Sequence, residues 1–322
     1  MSFPNLAPSP WIKIDKFPYL AALRPHQWTK NLIVFAAPLF DFSLNGTSIL
    51  GSLLAFVLFC CASSSFYLIN DIMDVEADRL HPVKCKRPIA AGLVPIPTAI
   101  MMAILLLGGS LTIGWLNAPL LGGVILCYAL LQVAYNIKLK HAPILDVVAI
   151  ATGFVLRASS GAVVNGIDPS PWFLLCTAML ALFLGIEKRK AELRLISSGT
   201  SRKTRGVLKR YSLELLTRME SMVTTGAVMS YALWSSGPVV NGASTPWMLL
   251  TLPFVLYGIF RYQLLSDPHY LSRTQSPDSP HKERTERPEE ILLSDGPILG
   301  TVASWVLVSF VILLLHKLHW IQ

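Results

Sequence analysis

The sequence predicts an all-α integral membrane protein, a bundle of nine transmembrane helices with its reactive end on the cytosolic side. Three observations lead there. Of the 322 residues 53% are hydrophobic and only 14% charged, with a mean hydropathy of +0.53, a balance typical of membrane proteins rather than soluble domains. Apolar runs long enough to cross about 30 Å of hydrocarbon, roughly 20 residues each as helix, recur along nearly the whole chain. The bases are also sorted. Residues 1–30 and the stretches 79–87, 138–140, 188–218 and 261–287 hold 25 of the 27 Lys and Arg residues, while the loops near 46, 117, 167 and 241 hold none. Cytosolic loops carry such an excess, so the N-terminus is expected inside and the C-terminus outside.

The spans follow in order from hydropathy and breakers. The first, 30–45, is short and interrupted by Pro38; the second, 48–70, runs into an acidic stretch. Spans at 96–116, 119–137 and 143–164 follow, the last with Arg157 inside it, then 171–187, 219–237, 245–264 and 296–316. They make one intramembrane domain over 1–322, with 1–29 a cytosolic N-terminal segment and 266–295 a cytosolic loop. The opening MSFPNLAPSPWIKIDKF lacks the charged start, apolar core and small-residue cleavage site of a signal peptide. Cysteines at 60, 61, 85, 127 and 176 show no metal-ligand spacing and read as packing residues. The net charge of +8 is accounted for by topology and does not call for a nucleic-acid partner.

The chemistry starts at "LINDIMDVEADRLHPVKCKRPIAAG", residues 68–92. At about 100° per residue, Asp71, Asp74 and Asp78 fall within roughly a 60° wedge of a helix, with Asn70 at its edge and Glu76 on the opposite side. Carboxylates aimed together repel unless a cation joins them. Mg²⁺ takes hard oxygen ligands and is commonly held by one or two carboxylates together with substrate phosphates. Lys84, Lys86 and Arg87 follow at once, where a metal-bound diphosphate would project from the membrane edge. The bland alternative is a solvated helix end whose acids pair with Arg79, Lys84 and Arg87. Pro82 disfavours helix at His81.

Further candidates gather on the same side. Tyr135, Lys138 and Lys140 end the fourth span, and on an unbroken helix Lys138 would share the face of Tyr135. Asp146 opens the fifth span. Arg157 lies eleven residues on, close to the same face and about 17 Å deeper; a charge at that depth faces a cavity or a partner. Either a substrate phosphate or a buried pair with a carboxylate such as Asp146 accounts for it, and Ala158, Ser159, Ser160 and Gly161 permit close helix packing beside it. The sixth span ends "LGIEKRKAELR", with Glu187, Lys190 and Arg194 on one face and Lys188 and Arg189 beside it. The bases here suit anions, lipid headgroups included.

These segments resemble the UbiA superfamily of intramembrane prenyltransferases, and within it the decaprenyl-phosphate phosphoribosyltransferase branch. The resemblance rests on "RPHQWTKN" at 24–31, "NDIMDVEADRLHPVKCKRPIAAG" at 70–92, "YNIKLKHAPILDV" at 135–147, "EKRKAEL" at 187–193, "TRGVLKRYS" at 204–212 and "ERPEEILLSD" at 286–295. It implies a UbiA-like bundle in a bacterial cytoplasmic (inner) membrane. It also implies transfer of 5-phosphoribose from 5-phospho-α-D-ribose 1-diphosphate (PRPP) to a polyprenyl phosphate, with release of diphosphate, for cell-wall arabinan precursors. Two departures stand out: the basic EKRKAEL replaces the second aspartate-rich motif usual among members that use prenyl diphosphates, and Cys85 stands where a basic or polar residue is common.

The expected mechanism places Mg²⁺ on Asp71, Asp74 and Asp78, with Asn70 orienting the diphosphate so that its leaving charge is stabilised. The lipid phosphate, already ionised, attacks C1 without a general base. Lys30, Asn31, Lys84, Arg87, Tyr135, Lys138, Lys140, Asp146, Arg157, Glu187, Lys188, Arg189 and Lys190 are the candidate substrate-binding residues. Two rivals stay open: a polyprenyltransferase acting on an aromatic acceptor, and a transporter of phosphorylated lipid or sugar. Oligomeric state is left open, a homo-oligomer included.

Overall fold

The computed structural model describes residues 17–42, 45–81, 83–197, 206–267, 270 and 295–320. Most of the expected loop 266–295, the first 16 residues and two residues of the 204–212 motif lie outside them. The described helices are α1 (Pro18–Ala22), α2 (Ala36–Phe40), α3 (Gly46–Met73), α4 (Val75–Arg79), α5 (Ile96–Asn117), α6 (Pro119–Ile137), α7 (Leu145–Val164), α8 (Pro171–Ser197), α9 (Leu213–Ser235), α10 (Leu252–Ser266) and α11 (Gly296–Lys317). Local signals set several starts. Asn45 Oδ1 accepts the Ser48 amide at 2.8 Å, Ser212 Oγ accepts that of Leu215 at 3.1 Å, and Asp295 Oδ1 accepts that of Ile298 at 2.9 Å.

Among the described residues seven helical segments are long and apolar enough to cross a membrane, which makes the chain a multi-pass membrane protein. They are α3, α5, α6, α7, α8 to Arg194, α10 with the turn that leads into it, and α11. Two of the nine expected spans do not meet that measure, for different physical reasons. Helix α9 has the length, 23 residues, but carries Glu214, Arg218 and Glu220 among Ser and Thr. The expected span 30–45 is not one α-helix. It is a 3₁₀ helix over Pro25–Phe35 followed by the five residues of α2. Since 3₁₀ backbone rises about 2.0 Å per residue and α backbone about 1.5 Å, this run still covers roughly 30 Å.

The long helices alternate in direction. One end of the bundle therefore gathers the end of α3, the starts of α5, α7, α9 and α11, and the ends of α6, α8 and α10. That end holds nearly all the charge and is called the charged end below. At the opposite end Phe40 packs edge-on against Trp234, Phe173 and Trp305, at centroid distances of 4.6, 5.7 and 5.6 Å. Between them, the 3₁₀ run lies in a groove of α3 and α7. A methyl group at Gly161 would run into the carbonyl oxygen of Val34, so the small residues of α7, expected to permit close helix packing, here admit an unexpected 3₁₀ backbone. Val34, Leu58, Phe59, Leu121, Ile125 and Tyr128 form the core there. Large side chains on α5 and α6, such as Ile104, Leu105 and Leu130, stay exposed, as surfaces that meet lipid should.

Candidate active site

Helix α3 carries the acidic stretch to the charged end and breaks within it. Asp74 closes α3 and opens α4 with φ −95° and ψ 6°, so the expected unbroken helix face does not exist between Asp71 and Asp78. The break nevertheless leaves these two together. Arg87 Nη1 lies 3.0 Å from Asp71 Oδ1 and 2.5 Å from Asp78 Oδ2. Both carboxylates are buried, at 3% and 2% exposure, whereas Glu76 is exposed. Arg24 adds a second cation: its Nη2 lies 2.5 Å from Asp71 Oδ1, and its guanidinium sits 5.1 Å from the centre of the Tyr67 ring. Lys84 Nζ is 3.9 Å from Asp78 Oδ1. Asp74 is half-buried and accepts a hydrogen bond from Asn70 Nδ2 at 3.3 Å.

Packing holds the cations in place. Ile89 and Val94, just past Arg87, are buried against Ala22, Leu68 and Ala99, and Arg79 Nε donates to the carbonyl of Ala90 at 3.3 Å. Helix α4 ends at Arg79, before His81 as expected. His81 Nδ1 then accepts the amides of Val83 and Lys84 at 3.2 and 3.3 Å, so this imidazole shapes the turn. Among the described residues no three His, Cys, Asp or Glu side chains converge as ligands of one ion. The acidic trio is instead two buried carboxylates on one guanidinium, with Asp74 turned to Asn70.

Arg157 projects from α7 into the bundle at 6% exposure. Its Nε donates to Asn31 Oδ1 at 2.6 Å and its Nη2 to the Tyr128 hydroxyl at 2.9 Å. The guanidinium faces the rings of Tyr128 and Phe154 at 4.9 and 5.4 Å. Asn31 Nδ2 in turn donates to Cys60 Sγ at 3.2 Å. The pairing with Asp146 that the spacing allows is not formed. Asp146 is fully buried and taken by Arg189 Nε at 2.8 Å and by the Tyr211 hydroxyl at 2.7 Å. The described partners of Arg157 are thus neutral, an arrangement that leaves a buried guanidinium with donor capacity for an anion.

A second charged network joins α8, α9 and α10. Lys190 Nζ lies 2.7 Å from Glu187 Oε1 and also donates to Glu220 Oε2, while Gln263 Nε2 donates to Glu220 Oε1 at 2.7 Å. Arg189 Nη1 meets Glu192 Oε2 at 2.5 Å, and Arg194 Nη1 meets the carbonyl of Ser266 at 2.5 Å.

The UbiA prenyltransferase family model matches residues 32–276. The chain belongs to the UbiA prenyltransferase family. A similar protein of Corynebacterium glutamicum, called decaprenyl-phosphate phosphoribosyltransferase, is 38% identical over 294 residues, covering 89% of this chain and 84% of that one. One of the same name from Mycolicibacterium smegmatis is 36% identical over 303 residues, 89% of each chain. Among solved structures, a UbiA homologue from Archaeoglobus fulgidus bound to DMAPP and Mg²⁺ superposes with a TM-score of 0.65 at 18% identity, over 91% of this chain and 98% of that one. That last likeness speaks to the fold.

In this UbiA-family chain the candidates named from sequence separate by environment. Asp71, Asp78, Lys84 and Arg87 meet in one cluster, and Asn31 meets Arg157 in another. Asp146, Glu187, Arg189 and Lys190 are engaged with one another or with Glu192, Glu220 and Tyr211, turned into the bundle. Lys188 is half-buried beside them, and Lys30 Nζ is held by Gln27 Oε1. Helix α6 stops at Ile137, Lys138 has φ −133°, and a short 3₁₀ turn follows over Leu139–His141. The shared face expected for Tyr135 and Lys138 on an unbroken helix therefore does not form. Sequence reasoning missed Arg24, Tyr128, Tyr211 and Glu220 as partners. Arg24 had a signal, since it opens the RPHQWTKN motif ahead of a proline. Glu220 had a weaker one, as an acid inside an expected span.

Proposed function

We propose that this UbiA-family protein transfers 5-phosphoribose from PRPP to a polyprenyl phosphate, of decaprenyl type, with release of diphosphate. The observation that carries the reading is the pair Asp71 and Asp78, buried and sharing the guanidinium of Arg87. Two carboxylates whose oxygens already meet at one positive centre suit a divalent ion completed by substrate phosphate oxygens. Asp71 and Asp78, with Asp74 and Asn70 beside them in the same segment, are the oxygen donors that would hold Mg²⁺, with Arg87 giving up its place between the two aspartates. When bound, Mg²⁺ supplies charge neutralisation for the departing diphosphate. Arg24, Arg87 and Lys84 then face its remaining oxygens as donors. The C1–O bond of the ribose breaks, diphosphate leaves, and an oxygen of the lipid phosphate forms the new bond to C1. The acceptor is already an anion, so no side chain needs to take a proton.

Arg157, with Asn31 and Tyr128, is assigned to a second phosphate, because its guanidinium is the buried cation that lacks a described carboxylate partner. Lys138, Lys140 and Lys188 at the charged end, and Lys30 in the 3₁₀ run just before Asn31, are further phosphate-binding candidates. The charged end is assigned to the cytosolic face of a bacterial inner membrane, a reading supported by its Lys and Arg excess. The rival reading, prenyl transfer from a prenyl diphosphate to an aromatic acceptor, calls for a second acidic metal site after α8. There Glu187 and Glu220 already share Lys190 as their ion-pair partner.

Membranes containing the protein, incubated with ribose-labelled PRPP and decaprenyl phosphate, should put label into the lipid extract with Mg²⁺ and lose that signal on chelation. Label absent under both conditions contradicts the reading.

A further inference from the structure

Helix α7 is entered through a turn that an isoleucine rarely accepts. Pro143 forces Ala142 to be extended, at φ −100° and ψ 121°. Ile144 then sits at φ 70° and ψ −49°, and the amide of Leu145 donates to the carbonyl of Pro143 at 2.8 Å. Those angles and that two-residue hydrogen bond define a γ-turn of the strained form. Among the described residues Ile144 is the one β-branched residue with positive φ, a conformation that persists only where surroundings impose it.

The surroundings come from 67 residues away. The Tyr211 hydroxyl accepts the amide of Ile144 at 2.5 Å and donates to Asp146 Oδ1 at 2.7 Å. It thus grips the turn from both sides. Tyr211 is itself fixed: Val207 and Leu208 bury their side chains among Phe183, Ile186 and Leu216, and the Tyr211 amide donates to the carbonyl of Leu208 at 3.2 Å. Burial, together with the bond to Asp146, pushes the phenol up to about 12 despite the Ile144 amide, so the hydroxyl keeps the proton it donates.

We infer that Tyr211 is a positioning residue: its hydroxyl holds the γ-turn at Ile144 and so fixes the segment 138–146, which carries Lys138 and Lys140, against the α8–α9 connection. A segment bearing phosphate-binding lysines must be held in place before substrate arrives, or ordering it weakens binding. The kinetic part of this inference rests on the transfer reaction proposed above, and the conformational part does not.

Tyr211→Phe removes the acceptor and the donor together while keeping the ring in its core. Amide exchange at 144–146 should then speed up by about tenfold or more. The KM for a phosphorylated substrate should rise about tenfold with kcat within about twofold. Glycine tolerates positive φ, so Ile144→Gly alone should melt no lower than the unsubstituted protein, and in the Tyr211→Phe background it should return exchange and KM most of the way. Unchanged exchange at 144–146 in Tyr211→Phe overturns the inference. So does a double variant as impaired as Tyr211→Phe alone. Should the unsubstituted protein transfer no phosphoribose, the reaction is misassigned, while the exchange data still decide whether Tyr211 holds the turn.

Discussion

Arg157 and Asn31, 126 positions apart in the chain, meet inside the bundle with Arg157 Nε 2.6 Å from Asn31 Oδ1. This contact ties α7 to the 3₁₀ run and holds one edge of a buried guanidinium while leaving other N–H groups for a ligand. A guanidinium binds phosphate in a fixed fork that an ammonium does not reproduce. Arg157→Lys is therefore expected to insert normally and lose about tenfold or more in turnover. Arg157→Met should be nearly inactive. Full activity in Arg157→Met removes the ligand role.

The acidic cluster predicts a different pattern. Asp71→Asn and Asp78→Asn should each lower transfer by about a hundredfold or more, as expected when charge aimed at a leaving group is removed. Glu76→Gln, on the exposed side of α4, should stay within about twofold. Rates are to be normalised to the amount of protein in the membrane, since a folding defect would imitate a catalytic one. Equal loss in all three variants would mean that acidity of the segment, not the aim of its side chains, matters.

Lys190 should behave as a structural cation. It is 7% exposed between Glu187 and Glu220, and Lys190→Met leaves two buried carboxylates without their cation, a change of about 3–5 kcal/mol in stability. Glu220→Gln keeps the Lys190 to Glu187 pair and should cost only about 1–2 kcal/mol. Thermal melts in detergent compare the two. A Lys190→Met protein that melts normally but binds substrate poorly would return Lys190 to the binding site.

Acid should loosen the start of α11. Arg261 Nη2 lies 3.0 Å from Asp295 Oδ2. Burial alone would raise the Asp295 carboxyl, but the hydrogen bonds from Arg261 and the Ile298 amide and the Arg261 charge outweigh it and hold the group below its ordinary 3.8. A carboxyl depressed on folding stabilises above its unfolded value and loses that contribution as pH falls through the folded one. The melting-temperature difference between the unsubstituted protein and Asp295→Asn should thus be largest near neutrality and shrink below pH 3.8. A difference independent of pH argues against the pair.

Much of this was legible in the sequence because hydropathy and charge act locally. The span expected at 48–70 and the depth of Arg157 follow from hydropathy, helical period and the cost of charge in hydrocarbon, whereas Asp71 and Asp78 meet across a helix break at Asp74 that the period does not announce. What escaped depends on long-range pairing. Nothing near Asp146 indicates that Arg189 and Tyr211 would claim it, and nothing near Glu187 announces Glu220. The 3₁₀ run at Pro25–Phe35 escaped for another reason: its apolar pattern reads as a short span, and only packing against Gly161 makes the thinner helix the better fit.

The central claim is the choice of donor and acceptor, and a side-by-side assay tests it most directly. Purified protein with Mg²⁺ is offered either PRPP with decaprenyl phosphate or a prenyl diphosphate with an aromatic acceptor, and diphosphate release is measured together with the mass of the lipid product. Release with the first pair alone, with a product heavier than decaprenyl phosphate by one phosphoribosyl group, is the predicted result. Release with the second pair alone, or none with the first, would contradict it.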